Sequence, residues 1–297
     1  MNCHRRRVRV GHVVAALALG VMAAACGDGQ GPVLLRQVRA RQLAAELLVQ
    51  FTAAADAGNR AVMADTDELS AAFSHEAGLA KEVVRRGVDE LKPLLAGLGE
   101  SEESQRLDEF GGLYAEYEVL DRGILELAVE NSNLKAQRLS FGPIREAADS
   151  FRDALAQVAA SSPPEDIWRV RALVAEAVSA LRGIQVLEAR HIAEPEDATM
   201  TRIEQEMAAS GADARSALHV LGDVVPEAAR ERLAAATAAL ERFLGLHAEL
   251  VALSRRNTNV RSLSLSLGRK RLLRAACEES LRAMRDVLEQ RGSGATR

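Results

Sequence analysis

The segment NSNLKAQRLSFG, Asn131 to Gly142, returns 126 positions on (257 less 131) as NTNVRSLSLSLG, Asn257 to Gly268. Five of the twelve positions are identical and five more are conservative exchanges. A chain that repeats a polar-then-apolar segment in this way is expected to repeat the architecture around it. Before and into the first copy, apolar residues fall at Leu113, Tyr117, Leu120, Ile124, Leu127 and Leu134, with Asn131 the one polar interruption on that seam. Before and through the second, Leu240, Phe243, Leu246, Leu250, Leu253 and Val260 form the same seam, interrupted at Asn257. Steps of three and four bury a helical stripe against neighbouring helices, as in an antiparallel bundle. Asn133 and Asn259, two residues on, fall off the seam.

Composition agrees with helices. The 297 residues are rich in Ala, Leu, Glu and Arg, only 3% are aromatic, and there are seven prolines. So few aromatics argue against sugar-stacking platforms and RNA-binding sheets. Punctuation predicts helices over 33–63, 67–98, 101–141 and 144–160, with Thr66 or Asp67 and Ser101 as caps and Gly142-Pro143 as a stop or kink. The run SSPPED, 161–166, is the strongest linker signal. The order then restarts: a helix over 167–191, a break at Glu194-Pro195, a second helix to 221, a third opened by Pro226, and a last one ending near 290 before the tail 291–297. The expected fold is all-α, two tandem antiparallel four-helix-bundle-like units over 33–160 and 167–290.

The N-terminus is set apart from the fold. Residues 1–25 carry Arg5, Arg6, Arg7 and Arg9, then an apolar run too short for an ordinary transmembrane helix. The run ends in AAAC and resembles a bacterial lipoprotein signal, which implies cleavage before Cys26 and lipid on that cysteine; an ordinary secretory signal is the alternative. Residues 26–32 then read as a tether. Loss of those four arginines takes the formal charge from -4 to -8, a poor sign for binding nucleic acid. With Cys3 removed and Cys26 acylated, Cys277 remains alone and no internal disulfide forms. The expected location is the bacterial cell envelope, extracytoplasmic and lipid-anchored.

The stretches ILELAVENSNLKAQRLSFGP and DELSAAFSHEAGLAKEVVRRGVDELKPLL look like the four-helix-bundle sensory module found outside the membrane in methyl-accepting chemotaxis receptors. The resemblance covers 33–160 well and 165–290 less well. It implies a sensory or ligand-binding module. Such receptors continue through a second membrane helix into a signalling coiled coil, and neither follows here, so output is expected to pass through a partner such as a receptor or sensor kinase. A structural or adaptor lipoprotein without a ligand is the other reading.

Chemistry is sparse. Glu188 and His191 form one E-x-x-H run, where a di-iron bundle needs two such runs and two further glutamates. His75, His219 and His247 stand singly, no C-x-x-C-H is present, and no nucleophile-elbow, P-loop, H-E-x-x-H or paired-cysteine motif occurs. Neither an enzyme nor a bound cofactor is expected. Residues equidistant from a hairpin turn lie level, which brings Asn131 near Asp67, and Asn257 near His191 and Glu194. These layers are either register-setting buried amides or two small polar ligand pockets, one per unit. Finally, Arg255, Arg256, Arg261, Arg269, Lys270, Arg271 and Arg274 lie within twenty positions without an acid among them, giving either a solvated face or a docking surface for anionic lipid or a partner.

Overall fold

A computed structural model describes residues 30–294. Segment 1–25 and Cys26 lie outside the described residues. Within them the regular elements are helical throughout: α1 (Gln30–Met63), α2 (Asp67–Leu98), α3 (Ser101–Glu130), α4 (Ser132–Leu139), a π-helical turn (Ser140–Ile144), α5 (Arg145–Ala160), α6 (Ile167–Ala193), α7 (Asp197–Val224), a 3-10 turn (Glu227–Ala229), α8 (Arg230–Arg256), α9 (Thr258–Leu265), a second π-helical turn (Ser266–Lys270) and α10 (Arg271–Gly294). The fold is all-α. None of these helices is long and apolar enough to cross a membrane.

Local chemistry places most of the ends. Thr66 caps α2 by accepting the Leu69 N–H at 3.1 Å. Gly99, at φ 74°, closes α2, and the Glu100 N–H returns to the Leu95 carbonyl at 3.1 Å. Some expected ends differ. Helix α1 starts at Gln30, inside the expected tether, and α10 runs to Gly294, into the expected tail. Ser101 is the first residue of α3, not its cap; Glu100 holds that position without a side-chain cap bond. The helix expected over 101–141 is broken at Asn131, and Gly142-Pro143 sits in a π-helical turn that keeps the chain helical into α5.

The main departure is in how the helices share cores. One core joins Leu47 and Phe51 of α1, Leu91 and Leu95 of α2, and Phe110, Tyr114 and Tyr117 of α3 to Cys277, Leu281 and Met284 of α10. The other joins Phe151 and Leu155 of α5 to Leu181 and Ile184 of α6, Met207 and Leu218 of α7, and Leu240 and Phe243 of α8. The two repeats have therefore exchanged their last helices. The contiguous units 33–160 and 167–290 are corrected to bundles of α1, α2, α3, α10 and of α5, α6, α7, α8. The reason is that the breaks at Asn131 and Asn257 do not reverse the chain: α3 continues through α4 into the second bundle, and α8 continues through α9 back into the first, where α4 packs on α8 and α9 on α3.

Candidate functional site: the junction and the α2–α3 groove

Asn131 and Asn257 adopt left-handed backbone, φ 52° and 53°, and are the only non-glycine residues with positive φ among those described. Asparagine tolerates this region better than most side chains. Each break frees the first N–H groups of a new helix, and the other copy of the repeat satisfies them. Ser132 N–H donates to Thr258 Oγ1 at 2.9 Å, and Thr258 N–H to Ser132 Oγ at 3.1 Å. Asn133 N–H donates to Asn259 Oδ1 at 3.2 Å, and Asn259 N–H to Asn133 Oδ1 at 3.1 Å. The amides tie the layer outward: Asn133 Nδ2 donates to Asn257 Oδ1 and the Ile192 carbonyl, Asn259 Nδ2 to Asn131 Oδ1, and Asn257 Nδ2 to the Glu194 carbonyl.

This pseudo-twofold clasp joins the two expected layers, one per unit, into one. The duplicated asparagines build one layer, and Asn133 and Asn259, expected off the seam, are central to it. Asn257 does meet Glu194, through the latter's backbone oxygen. Asp67 instead pairs with Arg138 at 3.0 Å. The symmetry is imperfect, because Asn131 Nδ2 is buried with no protein partner.

Polar layers flank the clasp in both bundles. His191 is fully buried; its Nδ1 meets Ser254 Oγ and its Nε2 meets Glu204 Oε1, both at 2.8 Å. Ser254 also donates to the His191 carbonyl at 3.0 Å and has no exposed surface. The enclosed trio ties α6, α7 and α8 together. Two hydrogen bonds from the Arg255 guanidinium hold the Glu204 carboxyl below its usual range, against partial burial. Glu188 faces His247 and accepts from Ser140, so it does not share a site with His191. Among the described residues no three potential metal ligands converge.

In the first bundle Asp121, fully buried, accepts a hydrogen bond from Lys81 at 2.6 Å and forms an ion pair with Lys270, whose Nζ lies 2.7 Å from its Oδ1. Lys270 lies 5.8 Å from the centre of the Tyr117 ring, and burial pushes the Tyr117 phenol far above its usual range. Lys81 is also part of the wall of a groove of about 880 Å³ between α2 and α3, where His75, Arg122, Glu126 and Glu130 contribute further polar groups. Asp121 could have been found from the sequence, since it follows Tyr117 by four on the same stripe. The seam reading passed over it in favour of Leu120, which is only half-buried.

Much of the basic run is ion-paired. Arg255 is held by Glu204, Arg256 by Glu130, Arg269 by Glu116 and Arg274 by Asp56 and Glu278, and Lys270 is 1% exposed. Acids of α1, α3 and α7 lie alongside, while Arg256, Arg261, Arg269 and Arg271 keep exposed side chains. No family model matches the chain, and no curated protein matches it at a significant level.

Proposed function

We propose that this chain is a lipid-anchored, extracytoplasmic helical module that binds a small polar ligand and acts through a partner protein, like the chemoreceptor sensory modules it resembles. The observation that carries the reading is the position of Lys81. It joins an open groove of about 880 Å³ to the buried Asp121 and Lys270, which pin α3 to the turn that leads into α10. A ligand contacting Lys81 would bear directly on how the first bundle holds α10, and through α9 on the clasp. Arg122 and Glu126, both exposed, stand among the apolar Leu79, Leu125 and Val129, so they would engage the polar groups of a ligand seated there. Thermal-shift screening of residues 27–297 against small polar metabolites tests this, since a ligand of the folded state raises the melting temperature. The reading predicts a compound whose shift is lost in Arg122→Ala or Glu126→Ala, surface changes that leave the core intact. A screen without a hit, or a hit equally strong in both variants, overturns it.

A structural or adaptor lipoprotein is the second reading. It is favoured by α3–α4–α5 and α8–α9–α10, each of which runs from one bundle into the other and so ties the two together. That reading predicts no ligand in the same screen, together with mislocalisation of Cys26→Ser on cell fractionation.

A further inference from the structure

The first three turns of α1 leave Val33, Leu34, Leu35 and Val38 exposed, Leu35 at 71%. From Gln30 to Ala45 the helix carries Arg36, Arg39 and Arg41 and no acid. Glu100 and Glu103 pair with Arg291 and Glu90 with Arg39, which leaves Arg36 and Arg41 as the cations of this stretch without an acidic partner among the described residues. An apolar cluster ringed by cations is matched to a bilayer interface with anionic headgroups.

Chain length places the cluster there. Cys26 precedes Gln30 by four residues, which span at most about 14 Å when extended. Val38 lies about 12 Å further along the helix at 1.5 Å per residue. A lipid on Cys26 therefore delivers these side chains to the headgroup region at high effective concentration, so that even weak partitioning would be nearly complete.

We propose that the N-terminal end of α1 is a membrane-contacting surface, with Leu34, Leu35 and Val38 entering the interface of an anionic bilayer beside the anchor. The proposal rests on the lipid-anchor reading of Cys26, and its test supplies the anchor artificially so that the two stand or fall separately. Residues 27–297 with an N-terminal hexahistidine tag are bound to vesicles of phosphatidylethanolamine, phosphatidylglycerol and a nickel-chelating lipid. An environment-sensitive fluorophore is placed at Leu35→Cys or, as a control, at Val49→Cys, while the native thiol of Cys277 is buried and silent. Quenching by a shallow nitroxide lipid is expected at position 35, at least about five-fold stronger than at 49. In the Leu35→Cys background, adding Leu34→Glu and Val38→Glu is expected to abolish that excess. Equal quenching at the two positions, or no effect of the glutamates, overturns the proposal. The anchor itself is tested by fractionating cells that carry Cys26→Ser.

Discussion

Ser132 and Thr258 each accept the other's backbone N–H through a side-chain hydroxyl, at 2.9 and 3.1 Å, so two helix starts that lie in different repeats cap one another. Asn133 and Asn259 repeat the exchange one residue on. A cap ordinarily belongs to its own helix, and its loss costs about 1 kcal/mol. Here each cap also holds two bundles together, so its removal acts on both.

Asn133→Ala is expected to cost about 3 kcal/mol, because the change leaves the buried Asn257 Oδ1 and Ile192 carbonyl and the half-buried Asn259 N–H without their partners. Urea denaturation of wild type and variant measures it. A loss below about 0.5 kcal/mol, the size of an ordinary surface change, would mean that the clasp carries little of the stability.

At Asn131 the backbone and side-chain contributions can be separated. Asn131→Gly keeps the left-handed conformation and loses one acceptor, whereas Asn131→Ala also bears the strain of φ 52°. The alanine variant should be less stable than the glycine variant by about 1–2 kcal/mol, the reverse of their order inside a regular helix. Equal stabilities would argue against a left-handed break at this position.

The buried charge layer makes a similar prediction at Gly58. A Cβ there would lie 2.8 Å from Lys270 Nζ and 3.2 Å from Asp121 Oδ1, whereas one on Gly123 meets nothing within 4 Å. Gly123→Ala should raise the melting temperature through helix propensity, by up to about 1 kcal/mol in stability. Gly58→Ala should lower it, because the ammonium it displaces is buried and paired. A stabilising Gly58→Ala would show that Lys270 lies elsewhere.

Cys277 provides a probe of the first core. Burial pushes its thiol up to about 12, so at neutral pH the thiolate is scarce as well as shielded. A thiol reagent should label residues 27–297 only at the rate of unfolding. Stoichiometric labelling under native conditions would contradict the placement of α10 against α1 and α3.

Glu204 contributes an acid-sensitive increment. Its folded pKa lies below the ordinary 4.5, chiefly because Arg255 donates to it. The sign follows: the stabilisation is present above the unfolded value and is lost as pH falls through the lower folded value. The stability gap between wild type and Glu204→Gln should therefore narrow as pH is taken below 4.5. A gap independent of pH would argue against the Arg255 pair.

Much of the helical punctuation could be read from the sequence, because Thr66, Gly99, Glu194 and Pro195 act within one turn of themselves. Membership of a core could not. Phe151, Leu155 and Val158 of α5 and Cys277, Leu281 and Met284 of α10 occupy the same steps of the repeat, so periodicity suits either helix to either bundle. What distinguishes them is charge. Asp121 corresponds to His247 in the repeat, and Lys270 to Ile144; only the exchanged arrangement puts Lys270 against Asp121. With the helices unexchanged, that lysine would be buried in the second bundle without its carboxylate. The asparagines were conspicuous as a repeat, but that they meet each other depends on the crossing of the long helices, which no local pattern encodes.

The exchange itself is tested most directly by truncation after Lys270, which deletes α10 alone, followed by hydrogen exchange read out by mass spectrometry. The exchanged arrangement predicts that α1, α2 and α3 lose protection while α5 to α8 keep theirs. If α6, α7 and α8 lose protection and α1 to α3 stay protected, then α10 belongs to its own repeat and the interlocked architecture is wrong.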